Sequence, residues 1–224
     1  KLTSGISFTQ IDTVPAGVTV YASAGLSATT SYTYRVRAYN AGGNSAFSNQ
    51  ASAPTFINPP AAPSSLDAAT VSNTQINLNW ADNASTEDGF KIERKTGVGG
   101  SYAQIATVGP NVTSYANTGL SGNTEYYYRV RAYNVGGNSN FSNEDAATTL
   151  QNPPVAPGNL RATAVSNEQI DLVWTDHSDN ETSFKIEIKV GAGGTYTLLA
   201  TNSANDTTYT STGLEEVAVA GAIE

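Results

Sequence analysis

The sequence predicts an all-β protein, a tandem array of small β-sandwiches on a 94-residue repeat. Three observations carry this. First, the segment TSYTYRVRAYNAGGNSAFSNQAS at 30–52 returns as TEYYYRVRAYNVGGNSNFSNEDA at 124–146, and INLNWADN at 76–83 returns as IDLVWTDH at 170–177. Second, apolar residues alternate with polar ones at period two almost throughout, and no stretch has helical periodicity. Third, clusters of Gly, Asn, Asp and Ser recur at intervals that suit the turns of a sandwich.

In the middle repeat the expected strands follow in order. Strand A lies near Leu66–Val71. Strand B, Gln75–Ala81, sets Ile76, Leu78 and Trp80 on one face and Asn77 and Asn79 on the other. Strand C runs Phe90–Lys95, and a Gly99-Gly100 turn leads to Tyr102–Val108. Strand E is placed near Thr113–Ala116. Strand F, Glu125–Asn134, buries Tyr126, Tyr128, Val130 and Ala132 and turns Tyr127, Arg129, Arg131 and Tyr133 outward. A Gly136-Gly137-Asn138 loop leads to strand G, near Ser142–Thr148. Pro-rich links at Asn58–Pro63 and Asn152–Pro157 fix φ and remove donors, so they read as semi-rigid spacers. The expected modules are therefore 1–57 (C-terminal strands only), 58–150 (complete) and 151–224 (N-terminal strands, with a divergent tail at 215–224).

Composition narrows the function classes. The 224 residues carry a net charge of −8, yet only 13% are charged, so the surface is mostly uncharged polar residues. Without a basic stripe there is no expected nucleic-acid partner, and without Lys/Arg clusters none for anionic membrane. No apolar run is long enough to insert in a bilayer as a helix. There is no Cys, which excludes disulfides and thiolate metal sites. The chain begins with Lys1, contains no Met and shows no signal peptide, so it reads as a processed or excerpted segment.

Trp80 and Trp174 on strand B, Phe90-Lys91-Ile92-Glu93-Arg94 on strand C, and Leu120, Thr124 and Tyr126 ahead of Tyr128-Arg129-Val130-Arg131-Ala132 form a recognisable set. It resembles tandem fibronectin type III modules of the secreted bacterial kind, which are immunoglobulin-like sandwiches. The resemblance spans all but residues 215–224. It implies a core built on Trp80, Trp174, Tyr32, Tyr126, Phe90 and Leu120. It also implies that Tyr32 and Tyr126 are tyrosine corners whose hydroxyls bond upstream backbone. It says little about activity, because fold does not imply function. The Arg-Gly-Asp integrin motif of some animal relatives has no counterpart in the Asn-Val-Gly-Gly-Asn and Asn-Ala-Gly-Gly-Asn loops here.

The end repeats are incomplete. Lys1 aligns with Lys95, so strands A, B and C of the first module have no counterpart. The third matches as far as Gly213-Leu214, where Glu215–Ala220 stands in place of strand F. Two readings remain open. Either the segment is a window on a longer array, or copies complete one another head-to-tail by strand exchange. Against exchange, residues 1–26 and 189–214 encode the same C′ and E region. Val217–Ile223 is a further candidate strand.

No catalytic, cofactor or metal residues are assigned. The single histidine, His177, is contiguous with Ser178 and Asp179, whereas a triad needs neighbours in space, and its counterpart is Asn83. Asp82, Glu87, Asp88, Asp176, Asp179 and Glu181 cluster in the B–C loops without EF-hand spacing, so solvated loops are expected, with weak calcium binding as the alternative. The glycine pairs precede strands and read as turns, not phosphate cradles. Asn83, Asn111, Asn180 and Asn205 open glycosylation sequons. Tyr127, Arg129, Arg131 and Tyr133 form a candidate interaction face. It is either braced by Lys91, Glu93 and Lys95 of strand C or open to polysaccharide.

The expected function is thus non-enzymatic and structural: an extracellular or cell-surface rod, a stalk, adhesin or fibre. Its partners would be further copies of itself or flanking domains. The alternative is an accessory region of a secreted polysaccharide-degrading enzyme, in contact with polysaccharide.

Overall fold

A computed structural model describes residues 7–213. The tail 215–224, with the candidate strand Val217–Ile223, lies outside the described residues, as does Lys1. The chain divides into two compact units, residues 1–71, 75–119 and 124–148 in one and 72–74, 120–123 and 149–224 in the other. Among the described residues every regular element is a strand. Among the described residues no helix is long and apolar enough to cross a membrane.

In the first repeat the strands are short: β1 (Ser31–Tyr34), β2 (Tyr39–Asn40), β3 (Gly43–Asn44) and β4 (Ala51–Pro54). β1 pairs antiparallel with β4 and β2 with β3, so the F and G segments make a ribbon with no facing sheet. Residues 7–30, the counterpart of strands C′ and E, form no strand at all. The cause is topological. Those strands need B and C as partners, and no described residue of this repeat supplies them. A strand's ladder of backbone hydrogen bonds needs a neighbouring strand to pair with.

The middle repeat is complete. One sheet pairs β5 (Ser64–Thr70), β6 (Gln75–Ala81) and β9 (Ser114–Thr118) in the order β5-β6-β9. The other is built on β7 (Gly89–Thr96), β8 (Ala103–Val108) and β10 (Glu125–Asn134), with β11 (Gly137–Asn138) and β12 (Asp145–Thr148) both along β10. Alternation along β6 and β10 points Ile76, Leu78, Trp80, Tyr126, Tyr128, Val130 and Ala132 inward, and all are buried together with Leu66, Phe90, Ile92 and Leu120. Trp80 meets Phe90 at 5.7 Å between ring centroids, tilted by 57°. Such tilted aromatic pairs add about 0.5–1.5 kcal/mol beyond area burial. Opposite Ile92 and Glu93 of β7, the strand β8 carries one extra residue, Ile105, a bulge that re-aims the local side chains.

The link into this module is held in place. Asn134 donates from Nδ2 to the carbonyls of Asn58 and Thr86, each at 3.0 Å. The backbone of Gly136 lies so close that a Cβ there would stand 1.8 Å from the carbonyl oxygen of Ile57. Only glycine permits that approach.

The third repeat has β13 (Gly158–Ser166), β14 (Gln169–Thr175), β15 (Ser183–Ile188), β16 (Thr197–Ser203) and β17 (Thr208–Thr212). They pair as β13-β14-β17 and β15-β16, the A-B-E and C-C′ sets of the middle module. The bulge recurs at Leu199, 94 residues after Ile105. Trp174, Phe184 and Ile186 form a small core, with Trp174 and Phe184 5.5 Å apart.

Candidate functional site

The outer face of the β7–β10 sheet is the most organised surface of the middle module. β7 and β10 run antiparallel with Arg129 opposite Glu93, Arg131 opposite Lys91 and Tyr127 opposite Lys95. Directly opposed side chains on one face interact, and these do. Arg129 donates to Glu93 Oε2 from Nε at 2.9 Å and from Nη2 at 2.6 Å, and Arg131 donates to Oε1 at 3.1 Å. Glu93 is itself buried. Burial strengthens the carboxylate's hold on both guanidinium groups.

Aromatic rings sandwich these cations. The Arg129 guanidinium carbon lies 3.9 Å from the Tyr102 centroid and 3.8 Å from that of Phe141. Arg131 lies 4.6 Å from Phe141, Lys95 4.9 Å from Tyr102 and 4.6 Å from Tyr127, and Lys91 4.8 Å from Tyr133. Glu144 closes the row. It accepts a short hydrogen bond from the Tyr102 hydroxyl and pairs with Lys95 at 3.3 Å. The Tyr102 bond holds the Glu144 carboxyl below the ordinary carboxylate range, and burial, reinforced by that bond, raises the Tyr102 phenol. The Tyr127 hydroxyl donates to Glu125, which raises its pKa.

The structure therefore brings all four candidate face residues, Tyr127, Arg129, Arg131 and Tyr133, into one half-buried row with strand C. Sequence reasoning missed Tyr102, Phe141 and Glu144. For the first two the repeat itself held a signal, since Tyr196 and Phe47 stand 94 residues away.

Of the proposed core residues, Trp80, Trp174, Tyr126, Phe90 and Leu120 are buried, and Tyr32 is half-buried. The Tyr32 hydroxyl accepts a hydrogen bond from the backbone N–H of Ser27 at 2.9 Å. Neither indole N–H, of Trp80 or of Trp174, finds an acceptor among the described residues. Deeper in, the Tyr128 hydroxyl donates to Asn117 Oδ1 at 3.0 Å, and Arg94 reaches the same oxygen at 3.0 Å.

His177 is exposed and its ring lies against Gly158. Among the described residues no three His, Cys, Asp or Glu side chains converge. Of the sequon residues, Asn83 donates to Ala62 and Ser64, and Asn180 to Asn152, so both amides are engaged. Asn111 and Asn205 are exposed, at φ +58° and +64°.

Two antiparallel sheets packed through Trp80, with an outer row of ion pairs and cation–π contacts, define a sandwich module of the immunoglobulin-like class. Residues 61–147 match the model of the fibronectin type III domain family. That segment belongs to the family, and the 94-residue repeat carries parts of its sequence pattern into the residues on either side.

The chain is 26% identical over 212 residues to exoglucanase B of Cellulomonas fimi, covering 89% of this chain and 19% of that protein. It is 31% identical to chitinase A1 of Niallia circulans (71% and 24%) and 36% identical to mouse contactin-5 (52% and 11%). It thus spans about a quarter or less of these curated relatives. Among solved structures, a two-domain fibronectin type III segment from chicken tenascin aligns at 19% identity with a TM-score of 0.37, over 68% of this chain and 83% of that one.

Proposed function

We propose that the chain is a non-catalytic, extracellular spacer, in which each complete module adds length and mechanical resistance to a rod-like stalk or fibre. One observation supports this above the others. On the middle module the aromatic and cationic side chains that would contact a ligand are engaged with one another. Arg129 is held by Glu93, Tyr102 and Phe141, and the rings of Tyr127 and Tyr133 each face a lysine. A row of this kind braces neighbouring strands and leaves few ring faces for stacking on a sugar. Pinning of the Asn58 link by Asn134 fits the same role.

A second reading has its own support. The similarity to an exoglucanase and a chitinase favours an accessory region beside a polysaccharide-degrading domain. Incubation with insoluble cellulose and chitin separates the two. The spacer reading expects the purified chain to stay in the supernatant and to release no sugar. Sedimentation with the polysaccharide, abolished by Tyr133→Ala, would favour the accessory reading. Turnover above a blank would overturn both.

A further inference from the structure

The chain carries four glycosylation sequons, and the fold treats them in two ways. We propose that Asn111 and Asn205, and neither Asn83 nor Asn180, are attachment sites for N-linked sugar, which screens the open strand edges beside them. The proposal rests on the extracellular part of the reading above, since sequons are used on secreted chains.

At Asn83 the acceptor nitrogen is occupied. Its Nδ2 donates to the carbonyl of Ala62 and to Ser64 Oγ, each at 2.9 Å. A sugar on that nitrogen takes the place of one proton and forfeits one of these bonds. Asn180 is half-buried. Its Nδ2 donates to the carbonyl of Asn152 at 2.8 Å, and its Oδ1 accepts from Ser178 Oγ at 2.7 Å. Neither sequon recurs along the repeat, where His177 and Thr86 hold the matching positions.

Asn111 and Asn205 differ on each count. They stand 94 residues apart, each with a threonine two positions on, Thr113 and Thr207. Both are exposed. The backbone N–H of Asn111 donates to Glu87 Oε1 and that of Asn205 to Glu181 Oε1, each at 3.3 Å. Neither side chain makes a hydrogen bond among the described residues. The loop is thus held by its backbone while the acceptor nitrogen stands in solvent. The turn itself does not demand asparagine. Gly17 holds the matching position of the first repeat at φ +83°, and glycine adopts a positive φ at the least steric cost.

Position gives the sugar a use. Asn111 lies in the loop from β8 to β9, and each of those strands ends its own sheet. An outermost strand offers unpaired backbone groups to other chains, a hazard that charged residues and proline blunt. β8 and β9 contain neither, and the bulge at Ile105 is their one irregularity. β16 and β17, which flank Asn205, are likewise outermost and contain neither. A bulky, solvated sugar between two such edges obstructs the approach of a further strand.

The step is a substitution with a lipid-linked oligosaccharyl diphosphate as co-reactant. The Asn Nδ2 bonds to the anomeric carbon of the first sugar, and the bond from that carbon to the diphosphate oxygen breaks. The lipid diphosphate leaves with the electron pair and the amide gives up one proton, so nothing is oxidised or reduced.

The test directs the full 224-residue chain through the secretory pathway of a glycosylating eukaryotic cell. Enzymatic sugar release in heavy-oxygen water turns each occupied asparagine into labelled aspartate, which peptide mass spectrometry locates. Label is expected at Asn111 and Asn205 and absent from Asn83 and Asn180. Thr113→Ala and Thr207→Ala leave both asparagines in their turns, and each should remove one sugar. The double variant, bare of sugar, should begin to associate at a lower concentration than the wild type in light scattering. A chain without label would overturn the proposal, as would label at Asn83 or Asn180, or an association threshold that the double variant leaves unchanged. A leader supplies entry to the pathway, so these outcomes stand apart from the spacer reading, which sedimentation with polysaccharide decides.

Discussion

Arg129 grips a single oxygen of Glu93 with two donors, at 2.9 and 2.6 Å, while Arg131 takes the other oxygen at 3.1 Å. One buried carboxylate on β7 thus ties down two positions of β10. Hydrogen bonds to charged groups contribute about 1.5–3 kcal/mol each. The arginines are about a quarter to a third exposed and can regain water, which discounts that sum. Glu93→Ala should therefore cost about 2 kcal/mol, seen as a lower urea midpoint at unchanged slope. Glu187→Ala, with no arginine to release, should leave the monomer's stability within about 0.5 kcal/mol. Equal losses in the two variants would show that the Glu93 bridge is not what is measured.

Trp80→Ala should lower stability by about 3–5 kcal/mol, the cost of a large cavity at the Phe90 contact. Trp80→Phe should cost far less, because the indole N–H it removes has no acceptor among the described residues. A Trp80→Ala loss under about 1 kcal/mol in denaturant melts would place Trp80 outside the core.

Burial raises the Tyr128 phenol, and burial with the Glu144 hydrogen bond raises Tyr102. Folded-state values above the unfolded one mean that their contribution is intact at neutral pH. It is lost as pH climbs past about 10, where the unfolded chain ionises first. Tyrosinate absorbance should rise in two stages, exposed tyrosines first, with the second stage coincident with unfolding. A single stage complete before unfolding would contradict this. Glu144, held low by Tyr102, works in the opposite sense, stabilising above the ordinary carboxylate range and losing its effect as acid protonates it.

Asn134→Ala should release the carbonyls of Asn58 and Thr86 and cost about 1–2 kcal/mol. Gly136→Ala should push the link at Ile57 away by steric contact. Amide chemical shifts of residues 56–60 report both, and shifts identical to wild type would contradict the docking of the link.

The strands of the middle module were legible because alternation and turn residues act locally. Gln75–Ala81 and Glu125–Asn134 are read directly from Ile76-Leu78-Trp80 and Tyr126-Tyr128-Val130. The first repeat was less legible. Residues 7–30 carry the pattern of strands C′ and E, yet a strand exists only where a partner supplies its ladder, a fact outside the local sequence. The outer row was half legible. Strand parity places Arg129 beside Glu93, but Tyr102 and Phe141 reach it from a strand approach and a loop.

The most direct measurement is residue-resolved amide hydrogen exchange on the 224-residue chain, at a dilution where it is monomeric. One complete module between two open ones predicts slow exchange along β6, β7 and β10, intermediate exchange at β14 and β15, and fast exchange at β1 and throughout residues 7–30. Protection at β1 and β15 equal to that of β10 in the monomer would contradict the account.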